Sequence, residues 1–148
     1  MCGLFGFSDP KQSLTRKQLN RLAHALGVAS EERGTDAAGV AYNNRLGLQV
    51  YKRPGRAGKL RINLPAGTRA VMGHTRMTTQ GTEKDNRHNH PFTGKAGKTR
   101  FALAHNGIIM NDRELRVSEK LPATATQADS HVAVQVLEQT GWISMENL

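Results

Sequence analysis

One cysteine in 148 residues leaves no partner for an intramolecular disulfide and points to a reducing compartment. Long apolar runs are also missing: no stretch approaches the roughly 20 residues a helix needs to span a bilayer. The opening MCGLFGFSDP has no basic region ahead of a short apolar run of six, so it does not read as a secretory signal. Acidic residues are scarce, with 12 Asp and Glu against 21 Lys and Arg, a formal charge of +9 and a pI near 10.3. What remains is a polar globular chain, 37% hydrophobic and 22% charged, long enough for one real core. The expectation is a single domain over 1–148, cytoplasmic and without a membrane contact.

A basic excess of this size attracts nucleic acid, anionic surfaces or acidic substrates. The basic residues are scattered, however. The densest pieces, KRPGRAGKLR at 52–61 and KAGKTR at 95–100, carry Gly or Pro and read as solvated loops. That favours solubility or an acidic partner over a nucleic-acid surface.

Residues 2–7 form a short apolar run broken by Gly3 and Gly6 and read as a buried strand, closed by a turn at Asp9-Pro10. Thr15 and Gln18 fit a capping box, with Leu19, Leu22, Ala23 and Leu26 at helical spacing behind them; this helix should end before Gly34. Two alternating segments, Ala38–Tyr42 and Leu46–Val50, flank Asn43-Asn44 as a hairpin. Further strands are expected at 69–74 and 100–105, separated by the polar stretch RMTTQGTEKDNRHNHPF, whose length suggests a functional loop. Thr126 to Asp129 can cap a last helix with an apolar face of Val132, Ala133, Val136 and Leu137, stopping at Gly141. The order of elements predicts an α+β protein with mixed or antiparallel sheets.

Four groups of residues could carry chemistry. Cys2 becomes the N-terminal residue once Met1 is removed, a step made easy by its small side chain. It would then join a nucleophile to a base in one residue: free α-amino groups generally titrate near ~8 and thiols near ~8.5, so the amine can take the thiol proton. GHTRMTTQG at 73–81 sets Arg76 at the end of a strand, where its guanidinium can fork onto a carboxylate, with Thr78 and Thr79 beside it. AHNGII at 104–109 offers the Asn106 amide and the Gly107 backbone N–H as two donors for one oxyanion, and serves equally as a turn. Asp129, in ADSH, is either a helix cap or an anchor for an ammonium group. The two histidines of RHNHP lack a third ligand at a suitable spacing, so no metal or other cofactor is expected.

Taken in order, MCGLFGF, RGTDAAGVA (33–41), GHTRMTTQG, NHPF (89–92), AHNGII and TATQADSHV (124–132) resemble the class II glutamine amidotransferases, a family of N-terminal-nucleophile hydrolases. The likeness runs over nearly the whole chain and is greatest to the glutaminase half of the sugar-phosphate aminotransferases. It implies an αββα sandwich of antiparallel sheets that hydrolyses L-glutamine to glutamate and ammonia. By the same resemblance Cys2 would be the nucleophile, and Asn106 and Gly107 the oxyanion hole. Arg76 and Thr79 would hold the α-carboxylate, Asp129 the α-amino group, and Arg33 would support the nucleophile region. Met77 and Gln80 depart from the family pattern, which tends to have tryptophan and histidine there.

Family domains also continue past the Asp129 helix. The expectations are therefore a fold shortened at its C-terminus, or sheets completed by a partner, and no synthase domain. Ammonia would pass to a separate acceptor protein. Two alternatives stand beside glutaminase: hydrolysis of another amide on the same fold, and a degenerate, non-catalytic basic binding module.

Overall fold

The computed structural model describes residues 1–144. Strand β1 (Gly3–Ser8) leads to a turn whose centre is Asp9, buried and accepting the backbone N–H groups of Ser13 and Leu14 at 2.9 Å each. Helix α1 (Arg16–Ala29) starts at the expected capping box: Thr15 Oγ1 accepts from Gln18 N–H at 3.3 Å, and Gln18 Oε1 accepts from Thr15 N–H at 2.9 Å. The chain then tightens into a 3₁₀ turn over Ser30–Arg33 that delivers Gly34 against the sheet.

Strands β2 (Ala37–Asn44) and β3 (Gly47–Pro54) make the expected hairpin, each longer than the alternating pattern suggested, and β4 (Ala70–Arg76) completes a sheet of order β1-β4-β2-β3. All of its pairings are antiparallel. A second sheet holds β5 (Phe92–Ala96) and β6 (Thr99–Leu103), followed by α2 (Asp112–Ser118) and α3 (His131–Thr140).

These elements stack as α1, four-stranded sheet, two-stranded sheet, α3, the αββα order expected. Strand alternation sorts the layers. Phe5 and Phe7 of β1 pack with α1 and the segment after β3, joining Leu19, Ala23, Leu64 and Val71 in one cluster and Val40, Ala57 and Leu60 in another. The opposite face carries a row Leu4, His74, Gly39, Lys52, aligned by register across all four strands. Against this row lies the second sheet: the His74 and His90 rings stand 4.3 Å apart, and Lys52 Nζ lies 5.1 Å from the centre of the Phe92 ring. Leu4, beyond the reach of the two-stranded layer, is left 49% exposed. Behind β5 and β6, α3 closes a third cluster of Phe92, Ala96, Phe101, Ala128, Val134 and Leu137.

Several expectations are corrected. The basic stretches are loops only in part: 52–54 belong to β3, 95–96 to β5 and 99–100 to β6, while Arg53, Arg56, Lys59, Arg61, Lys95, Lys98 and Arg100 are exposed as expected. Lys52 ends inside the protein, donating to the carbonyls of Asn89 at 2.6 Å and Pro91 at 3.0 Å, and burial lowers its pKa to about 8. The 95–100 stretch is the β5–β6 turn, with Gly97 at φ +57°. The polar segment after Arg76 is only partly a surface loop, because His88, Asn89, His90 and Pro91 are buried beneath it. Helix α3 buries Val134, and its N-cap is Ser130, without a side-chain capping bond; Thr126 and Asp129 are used elsewhere. Strand β5 and helix α2 carried no pattern that marked them.

Candidate active site

Cys2 sits one residue before β1, and alternation puts it on the same face as Leu4. β4 is the neighbour of β1, so Cys2 falls beside the C-terminal end of β4, where Arg76 and Met77 emerge. Met77 N–H donates to Cys2 Sγ at 3.3 Å, and Sγ lies 3.5 Å from the Met77 carbonyl. The N-terminal amine of Met1 lies 3.1 Å from Met77 Sδ, and Met1 Sδ is 3.6 Å from Arg33 Nη2.

The Met77 backbone is fixed from behind. A Cβ on Gly34 would fall 2.4 Å from Arg76 C and 2.6 Å from Met77 N, so only glycine lets the 33–36 segment lie against this corner. Asp36 then pins the next residue, accepting Thr78 N–H at 2.7 Å. The RGTD motif therefore shapes the backbone that holds the thiol.

Two clefts meet at Cys2. The inner one, of about 30 Å3, is lined by Cys2, Arg76, Thr79, Gly107 and Asp129, together with His90, His105 and Ser130. The outer one, of about 650 Å3, runs from Cys2 over Leu4 and Leu26 to Arg33 and Asn106. Cys2, Arg33, Arg76, Thr79, Asn106, Gly107 and Asp129 thus each border one of two cavities that share the thiol, whereas Thr78 borders neither.

Their present bonds are more specific than the sequence suggested. Arg76 is 5% exposed, and its Nη1 donates to Asn89 Oδ1 at 2.7 Å while Nη2 donates to the Gln80 carbonyl. Burial pulls its pKa below the ordinary arginine value, opposed by Cys2, Glu83, Asp36 and Asp129 around it. Asp129, expected as a cap or an ammonium anchor, accepts the Ile109 N–H on Oδ2 at 2.5 Å and so ties down the 106–109 loop. Asn106, Gly107 and Thr79 are exposed at the mouth. Met77 is 47% exposed and Gln80 stands beside it, so the two departures from the family pattern form the rim.

Two residues that sequence reading missed, His105 and Ser130, also belong here, with His90, which it weighed only as a metal ligand. His90 borders the inner cleft and stacks on His74; both are buried, and among the described residues neither ring nitrogen of His90 has a hydrogen-bond partner. Burial is the first cause of pKa values of about 4 for His74 and about 2 for His90. The HNHP and GHTR motifs contained both histidines, but only the packing of the two sheets brings them together. Ser130 looked like a helix-start residue and His105 like the end of a strand. Among the described residues no group of three His, Cys, Asp or Glu could hold a metal ion.

No protein-family model matches the chain. Against solved structures it superposes on the Bacillus subtilis glutamine phosphoribosylpyrophosphate amidotransferase complexed with ADP and GMP, with a TM-score of 0.61 at 21% identity. That match covers 99% of this chain and 30% of the other, and it establishes the fold. The chain belongs to the N-terminal-nucleophile class of glutamine amidotransferase domains. Within that class it is similar to isomerizing glutamine–fructose-6-phosphate aminotransferases. It is 40% identical to that of Bacillus cereus over 147 residues, covering 94% of this chain, and 42% identical to that of Symbiobacterium thermophilum over 121 residues, covering 78%. The chain spans 22% and 18% of the lengths of these relatives.

Proposed function

We propose that the chain hydrolyses the side-chain amide of L-glutamine, with Cys2 as nucleophile after removal of Met1, and that the ammonia passes to a separate acceptor enzyme or subunit. The observation that carries this reading is the convergence on Cys2 of an arginine, an aspartate and a glycine-bearing turn around one cleft. Glutamine is a zwitterion, so its recognition needs one cation and one anion. Arg76 and Asp129 are the pair on the inner cleft, and Thr79 stands beside Arg76 at the mouth.

Loss of Met1 would free the Cys2 amine to take the thiol proton. The thiolate would attack the amide carbon, and the Asn106 side chain and Gly107 N–H would receive the developing oxyanion. Collapse would expel ammonia and leave a thioester, which water would cleave to glutamate. Arg33 would hold the outer wall beside Cys2.

In the closed arrangement Arg76 is bonded to the Gln80 carbonyl within the inner cleft, so admission of substrate would go with movement of the exposed 77–80 rim. Arg76 would then exchange the Gln80 carbonyl for the α-carboxylate.

The test is glutamate release by the purified protein, with asparagine and simple amides as competitors for specificity. Cys2→Ala should abolish release, and a glutamine-analogue electrophile should add to Cys2 of the Met1-free chain by mass spectrometry. Full turnover in Cys2→Ala would overturn the mechanism.

A further inference from the structure

Beside Cys2, three side chains form a chain of hydrogen bonds whose direction can be worked out. Ser130 is 1% exposed, and its hydroxyl donates to Asp129 Oδ1 at 3.2 Å. A serine hydroxyl has one hydrogen, so its oxygen has only lone pairs left to offer. His105 Nδ1 lies 3.0 Å from that oxygen. The hydrogen in this second bond must therefore come from the ring. This arrangement calls for the ring proton on Nδ1, and in the neutral imidazole Nε2 is then a bare acceptor.

The other end of the ring points somewhere definite. A Cβ built on Gly107 would fall 2.7 Å from His105 Nε2 and 2.8 Å from Cε1. Nε2 therefore lies directly beneath Gly107, and both residues border the inner cleft with Cys2. At Gly107 the imidazole occupies the space a side chain would take.

We propose that Ser130 is a positioning residue: it passes the polarity of Asp129 to His105, fixes the Nδ1–H tautomer, and so presents Nε2 to the Cys2 cleft as an acceptor for an N–H or O–H group during amide hydrolysis. An amide NH₂ and the hydrolytic water both have the required chemistry. An Nε2–H imidazole would instead present a second donor beneath an oxyanion site and could accept no proton there. The kinetic half of this inference rests on the amide-hydrolase reading above; the tautomer half does not.

Long-range ¹H–¹⁵N correlation spectra of the full chain at neutral pH report which ring nitrogen of His105 carries hydrogen. The wild type should show Nδ1–H. In Ser130→Ala the Nε2–H form should become major, with kcat/KM for glutamine lower by about tenfold or more, as befits loss of a proton acceptor. A wild-type Nε2–H ring overturns the proposal even if the variant fails to fold. So does an unchanged tautomer in Ser130→Ala, or a changed tautomer with unchanged kcat/KM. A wild type showing the Nδ1–H pattern but no glutamate release would count against the proposed function while leaving the assignment of Ser130 and His105 intact.

Discussion

Lowering the pH from 7.5 to 4.5 should destabilise this fold through two histidines. His74 and His90 are 1% and 6% exposed and stack on one another; burial disfavours their charged forms first, Arg76 adds to this for both and Lys52 for His90, while the His105 backbone partly opposes it at His74. Their folded pKa values of about 4 and about 2 lie below the ordinary 6.5. The unfolded chain therefore binds protons first, and stability present above pH 6.5 drains away as pH falls toward the folded values. At pH 4.5, two units below 6.5, each histidine would cost roughly 3 kcal/mol. Their mutual coupling makes about 3–5 kcal/mol the sensible range for the pair, a large part of a typical ~5–15 kcal/mol. His131, also lowered by burial, adds in the same direction. Asp9, held low by the N–H groups of Leu14 and Ser13, adds its loss only below pH 3.8 and leaves this window clean. Urea unfolding at half-unit pH steps measures the slope. A flat midpoint between pH 7 and 4.5 would refute the buried neutral pair, and His90→Gln should flatten the curve if the pair is responsible.

Gly34→Ala should cut activity by ten- to a hundredfold or prevent folding, because its Cβ meets the backbone of Arg76 and Met77, which cannot give way as a side-chain tip can; circular dichroism separates the two outcomes. Asp36→Ala removes the acceptor of Thr78 N–H and should cost about 1–2 kcal/mol while raising KM for glutamine more than it lowers kcat, since it frees the substrate-facing loop. Leu64→Ala empties a fully buried position between Leu19 and Val71 and should cost about 2–5 kcal/mol by chemical denaturation, with little effect on KM.

Much of this molecule was legible in its sequence for local reasons. The Thr15–Gln18 capping box, the β2–β3 hairpin and β1 all form where short-range pattern and turn chemistry dictate them. The position of Cys2 carried its own meaning too, because a nucleophile whose base is its own backbone amine must stand at the chain's start. Motif order then gathered Arg33, Arg76, Thr79, Asn106, Gly107 and Asp129, and all of them border the clefts at the thiol.

What stayed hidden depends on contacts between distant segments. Lys52 read as a surface cation, since nothing local shows that the carbonyls of Asn89 and Pro91 await its ammonium. β5 holds only five residues, two of them glycine and lysine, and becomes a strand because β6 and α3 bury Phe92 and Ala96. Asp129 read as a helix cap or an ammonium anchor, and nothing local showed that its carboxylate also accepts the Ile109 N–H from a separate loop. Sequence alone determined which residues are fit for the chemistry, because donor type, charge and turn propensity are properties of single residues and near neighbours. Only the stacking of two sheets decided which of them stay neutral and which line the clefts beside Cys2. Those are set by burial and by partners many residues away.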